Sequence, residues 1–176
     1  MSLVYITGVS GTGKSTVRTE LASRGYEAHD TDEGSFREWK NIKNGKFITG
    51  LNLAWDDASN GFRSEHVMAI KPEEVEKLKL TSEDGTIFLC GTVPNENEIW
   101  KYFDITMCLT LDETTLRHRL DTRTNNSYGK NPVELRNILE WNRLAETNYR
   151  SFGSVIIDAS RPIEKVVDEI LENIND

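Results

Sequence analysis

The segment Gly8-Val9-Ser10-Gly11-Thr12-Gly13-Lys14-Ser15 satisfies G-x-x-x-x-G-K-[ST], and it admits few surroundings. Such a loop wraps backbone amides around phosphates, so a buried strand must lead into it and a helix must leave it. Both are written in the flanks. Leu3-Val4-Tyr5-Ile6 is apolar and too short for a helix, which predicts a central buried strand. Residues 15 to 24 read as a helix, stopped by Gly25 in the left-handed C-terminal position. In that context Gly8, Ser10, Gly11, Thr12 and Gly13 are expected to cradle a nucleoside triphosphate. Lys14 would reach the terminal phosphates, Ser15 would ligate magnesium, and Thr16 would touch the α-phosphate.

The rest of the chain repeats the strand-then-helix pattern. Tyr26 to His29 begins a second strand, with Asp30-Thr31-Asp32 at its carboxyl end, and Thr86 to Cys90, Ile105 to Leu111 and Val155 to Ile157 read as three more. Alternation of this kind predicts a parallel sheet covered on both faces. Asp112 is placed to cap a helix from Glu113 to Arg123, Asn131-Pro132 to start one from Val133 to Tyr149, and Pro162 to open the last. Residues 33 to 82 break the pattern. There Asn44-Gly45, between Ile42 and Phe47, predicts a tight type I′ hairpin, and Trp39, Trp55 and Phe62 are either a small core or rings on which a sugar or base could stack. This region is expected to leave the sheet and cover one side of a cleft. With no repeat or linker, residues 1–176 read as a single domain.

Charge narrows the partners. Against 21 basic residues stand 29 acidic ones, a formal net charge of -8, which disfavours nucleic acid and anionic membrane surfaces. No basic segment precedes an apolar run and no stretch is long enough to span a membrane, so a cytoplasmic protein, monomeric or homodimeric, is expected. Cys90 and Cys108 fall within strands without metal-site spacing, and His29, His66 and His118 form no recognisable set.

A triphosphate site alone does not separate a kinase from a GTPase, a motor or a switch. The NKxD element of common GTPases is absent, and the third strand ends Leu89-Cys90-Gly91 without the acid that large ATPases carry there. A carboxylate for magnesium or for an acceptor must come from elsewhere. Three features together, the loop, Asp30-Thr31-Asp32 and Arg119-Leu120-Asp121-Thr122-Arg123 before a polar stretch, resemble the nucleoside monophosphate kinase superfamily. Within it the short chain and the D-x-D look most like the shikimate kinase and gluconate kinase branch. The resemblance implies a three-layer α/β P-loop NTPase fold with a five-stranded parallel sheet in the order 2-3-1-4-5 and a mobile lid, here residues 124 to 131.

It also implies roles. Asp30 would lie near the magnesium, and Asp32 near the acceptor hydroxyl, where a carboxylate can orient it or take its proton. Arg119 and Arg123 would contact adenine and the transferring phosphates, and their four-residue spacing puts them on one helix face. Arg143 is similar in position to the post-lid arginine of adenylate kinases, and Asp158 to Pro162, with Arg161, matches the adenine-contacting loop. Phe62-Arg63-Ser64-Glu65 resembles the Phe-Arg and Glu element with which shikimate kinases hold their substrate, making Arg63 a candidate acceptor ligand, although Cys90-Gly91-Thr92 departs from their glycine triplet. The expected activity is an ATP-dependent, magnesium-requiring phosphotransfer to a small metabolite. Nucleoside or nucleotide phosphorylation, and nucleotide-dependent regulation without transfer, are the alternatives.

Overall fold

Strand β1 (Leu3–Thr7) is buried along its whole length, because it has a strand on each side and cover on both faces. In the computed structural model, which describes residues 2–33, 36–55, 57–82, 85–124 and 126–175, its neighbours are both parallel. On one side β5 (Ile87–Cys90) pairs from Leu3↔Ile87 to Ile6↔Cys90, and on the other β6 (Ile105–Thr110) pairs from Val4↔Ile105 to Thr7↔Cys108. Strand β2 (Glu27–Asp30) flanks β5, and β7 (Val155–Asp158) flanks β6, giving the order β2-β5-β1-β6-β7. Counting only the strands of this sheet along the chain, that order is 2-3-1-4-5, as the resemblance implies. The edge strand β2 reads Glu-Ala-His-Asp and is only partly buried, while the inner β5 is Ile-Phe-Leu-Cys and fully buried.

Alternate residues of β1 point to opposite layers. Val4 and Ile6 join a core with Val17 and Leu21 of α1 (Lys14–Ser23), Leu116 and Leu120 of α5 (Glu113–Thr122), and Val166 and Ile170 of α7 (Ile163–Asn175). Leu3 and Tyr5 join the other, with Ile87, Leu89, Val75 of α3 (Pro72–Thr81) and Ile99 of α4 (Glu96–Ile99). The caps form where the sequence predicts them. Asp112 Oδ1 accepts from the Thr115 amide at 2.9 Å, and Asn131 Oδ1 accepts from the Val133 amide at 2.8 Å at the start of α6 (Pro132–Ser151). Among the described residues no helix is long and apolar enough to cross a membrane.

In the excursion the expected local hairpin about Asn44-Gly45 forms, but with a different turn, and its first strand has a second partner. Strand β3 (Arg37–Asn41) pairs antiparallel with β4 (His66–Ile70), from Arg37↔Ile70 to Asn41↔His66, and also with the chain after the turn, through the Lys40↔Phe47 bridge, the Asn41 amide donating to Lys46 O at 2.9 Å and the Ile48 amide to Trp39 O at 2.7 Å. The turn is not type I′, because only Gly45 has positive φ, at 69°, whereas that turn needs it at Asn44 too. Asn41 instead closes a wider turn, its Oδ1 accepting from the amides of Lys43 at 3.0 Å and Asn44 at 3.1 Å. Of the aromatic residues Trp39 is a core residue, while Trp55 covers it and is 48% exposed. Trp39 is 1% exposed, stacks on Trp55 with centroids 5.6 Å apart, meets Phe62 edge-on at 4.9 Å, and donates its indole N–H to Leu53 O at 2.7 Å. Asn95 moors β4 to the segment after β5, donating to Ile70 O at 2.8 Å and accepting from Ile70 N at 3.1 Å. The hairpin is thereby held over the carboxyl ends of β5 and β2. Of the proposed excursion, Gly34, Ser35 and Asp56 lie outside the described residues.

Candidate functional site

The phosphate loop leaves β1 where the chain passes against β6. A Cβ on Gly8 would come within 2.5 Å of Leu109 O, so only glycine fits. Thr12 closes the loop on itself, donating both its amide, at 3.3 Å, and its hydroxyl, at 2.9 Å, to Val9 O. Helix α1 then begins with no acidic residue in its first turn and no side-chain cap. Its N-terminal amides and the positive end of its dipole are left for an anion. Lys14 reaches back into the loop, donating to Gly8 O at 2.6 Å and Val9 O at 3.0 Å. Burial pulls its ammonium down to about 8, against the opposing field of Asp30. Ser15 and Thr16 are exposed beside it.

Arg119 of α5 and Arg123, the extended residue that ends that helix, close on the loop. Arg119 donates to Thr12 O at 3.3 Å and to Ala159 O at 2.9 Å, tying the loop to the turn after β7. Arg123 donates to Ser10 Oγ at 3.1 Å and to the Tyr128 carbonyl of the polar stretch after α5, and desolvation lowers its pKa. That stretch is fastened locally, Gly129 N donating to Glu134 Oε2 at 2.8 Å; Asn125 of the expected lid lies outside the described residues. Buried Nε atoms of Arg18, Arg37 and Arg123 have no hydrogen-bond partner among the described residues. Of the three only Arg123 has a described bond to the loop, and its cation beside an uncapped helix N-terminus fits a polyanion such as a triphosphate.

The D-x-D lies across the sheet from Lys14. Asp30 Oδ1 accepts from the Asp32 amide at 2.9 Å. Thr31 is fully buried and lies so close to Gly91 that a Cβ there would stand 1.8 Å from its hydroxyl oxygen, which locks the ends of β2 and β5 together. Asp32 is 70% exposed and ion-paired to Arg37. Among the described residues no three His, Cys, Asp or Glu side chains converge as a metal site. Magnesium would take oxygen from the phosphates and water, with Ser15 and Asp30 the protein groups nearest in kind.

Other expected residues are engaged elsewhere. Arg63, the last residue of the short helix α2 (Asn60–Arg63), donates to Asn60 Oδ1 at 2.8 Å and Trp55 O at 3.4 Å and stands 5.4 Å from the ring centroid of the exposed Trp55. Arg161 pairs with Glu169 and donates to Asp158 O at 3.2 Å. Exposed Arg143 lines a groove of about 420 Å³ between α5 and α6 with Glu113, Arg117 and Arg136. The described contacts give none of these three a bond to the phosphate loop.

Two residues were not legible from the chain. Arg37 joins Asp32 to the neighbouring strand ends, and no motif marks it. Glu96 lies under the loop and accepts from Tyr5 Oη at 2.8 Å, Thr7 Oγ1 at 2.7 Å and Tyr149 Oη at 2.8 Å. Burial, with Glu96 next, raises the pKa of both tyrosines. A signal existed: Tyr5 and Thr7 stand on a wholly buried strand, and buried hydroxyls need a partner.

The sequence matches the family described as AAA domain over residues 4–158. No curated protein matches it. Among solved structures, shikimate kinase from Acinetobacter baumannii in complex with shikimate is 18% identical, with a TM-score of 0.64 and coverage of 99% of this chain and 93% of that one. A gluconokinase from Sinorhizobium meliloti is 20% identical, with a TM-score of 0.52 and coverage of 98% and 90%. Deoxyadenosine kinase from M. mycoides with bound dATP is 17% identical, with a TM-score of 0.53 and full coverage of both chains. The architecture is thus a kinase-like P-loop fold.

Proposed function

The chain belongs to the AAA domain family, and from that footing we propose that it is an ATP-dependent phosphotransferase acting on the hydroxyl of a small molecule. The observation that carries the reading is the grouping of Lys14, Arg119 and Arg123 around one loop, with Asp32 paired to Arg37 at the neighbouring strand ends. Lys14 would exchange the Gly8 and Val9 carbonyls for the terminal phosphates, its charge meeting theirs. Arg119 and Arg123, already held on the loop's Thr12 and Ser10, would neutralise charge on the transferring group. Ser15, with Asp30 through water, would hold magnesium, whose charge draws electron density from the phosphate oxygens when bound. Asp32 would orient the acceptor hydroxyl and take its proton as the new O–P bond forms and the bond to the β–γ bridging oxygen breaks.

The acceptor is tested by screening sugars, sugar acids, shikimate, nucleosides and nucleotides for stimulated ADP release. One of them should raise turnover at least tenfold, and Asp32→Asn should abolish most of that gain with ATP affinity retained. A stimulation that survives Asp32→Asn would remove Asp32 from the reaction. A complete screen without stimulation, together with a nucleotide-dependent protein complex, would favour a regulatory protein. A nucleoside is the second acceptor class, supported by the likeness to deoxyadenosine kinase over the whole of both chains.

A further inference from the structure

We propose that Arg37 is a positioning residue that holds Asp32 in register with the phosphate loop, acting through Thr92; this rests on the phosphotransfer reading above. Arg37 is the first residue of β3, in the covering hairpin, yet its guanidinium reaches the ends of two strands of the main sheet. Nη1 pairs with the Asp32 carboxylate. Nη2 donates to Thr31 Oγ1 at 2.6 Å and to Thr92 O at 2.7 Å. Thr92 in turn donates its hydroxyl to Gly8 O at 2.6 Å, and that carbonyl also receives Lys14 Nζ at 2.6 Å. An unbroken series of polar contacts therefore runs from Asp32 through Arg37, Thr92 and Gly8 to Lys14.

The burial of the pair says which partner positions the other. The Arg37 side chain is 19% exposed and fixed by two uncharged acceptors, whereas that of Asp32 is 70% exposed. An ion pair between two mobile surface groups does little to fix either one. Here the cation is anchored by the framework, and its planar fork dictates where the carboxylate stands. The other end of the series is the carbonyl on which Lys14 rests before it meets phosphate. Arg37 thus sets the distance between the group that would orient the acceptor and the group that would hold the donor. Misplacement of reacting groups by about 1 Å can cost on the order of a hundredfold in rate, with little effect on ground-state binding.

The test uses the intact protein with Mg·ATP and water as acceptor, so it needs no identified substrate. Wild type, Arg37→Ala, Arg37→Lys, Asp32→Asn and Arg37→Ala/Asp32→Asn are compared for Mg·ATP affinity by calorimetry and for hydrolysis by single turnover. Arg37→Ala should keep affinity within about threefold and lower turnover about tenfold or more, matching Asp32→Asn. Arg37→Lys, with charge but no fork, should fall between, and the double variant should be no slower than Asp32→Asn. Turnover near wild type in Arg37→Ala, or losses that multiply in the double variant, overturns the proposal. Undiminished turnover in Asp32→Asn would instead remove Asp32 from the reaction, and undiminished turnover in Lys14→Ala, measured alongside, would sink the phosphotransfer reading. The link is then judged by a double-mutant cycle between Arg37→Ala and Asp32→Ala in urea unfolding. A cycle without coupling overturns it, and measurable coupling upholds the contact on which it depends.

Discussion

Lys14 is the residue on which the site turns, because its charge depends on what occupies the loop. Without phosphate its ammonium rests on two carbonyls in a desolvated position and titrates near 8, well below the usual 10.5. Bound triphosphate surrounds it with negative charge and raises that value. Below about pH 8 the lysine is already protonated and binding takes up no proton. Above it, the complex must gain a proton that the free protein lacks, so affinity falls as pH rises. Mg·ATP affinity should therefore be nearly flat around neutral pH and weaken by up to about tenfold per unit above about pH 8. Calorimetry at pH 9 in buffers of different ionisation enthalpy should register the proton uptake. Constant affinity up to pH 10 would show that Lys14 keeps an ordinary pKa.

At the scale of elements, the hairpin β3–β4 matters because it is built around its own core. The Trp39 indole is stacked on Trp55, met edge-on by Phe62 and hydrogen-bonded to Leu53, so it fills volume in the cover and offers no ring face to an acceptor. Trp39→Ala should destabilise the protein by about 3–5 kcal/mol in urea unfolding, the range for removing a large buried aromatic. Mg·ATP affinity should be preserved by the folded variant, since the stack has no bond to the loop. A loss below about 1 kcal/mol would identify the indole as a stacking platform instead. The same hairpin carries Arg37 at its first residue, so the element held over the ends of β2 and β5 also supplies a cation there.

For the molecule as a whole, a ligand that binds only the folded state adds its binding free energy to stability. Mg·ATP at a hundred times its Kd should stabilise the fold by about 2.7 kcal/mol. For a chain of this length that is a rise of roughly 5–10 °C in melting temperature. Lys14→Ala should abolish the rise, and an undiminished shift in that variant would move the nucleotide site away from the loop. How much of this was legible beforehand follows from the range of the signals. The loop, the helix caps at Asp112 and Asn131 and the strand-helix alternation involve neighbours within a few residues, where φ preferences, capping and hydrophobic period act. The sequence by itself therefore determined the phosphate loop with Lys14 and the strand-helix alternation around it, while Arg119 and Arg123, more than a hundred residues from their loop partners, were legible only through the resemblance. It missed the second partner of β3, because Asn44-Gly45 advertises only the local turn while the pairing with β4 is long-range. Only the tertiary structure decided the Asp32–Arg37–Thr92 series and the Glu96 junction. Arg37 and Thr92 are 55 residues apart, and Thr7 and Glu96 are 89 apart. They meet because β5 inserts between β1 and β2, setting strand ends side by side whose order no local signal encodes.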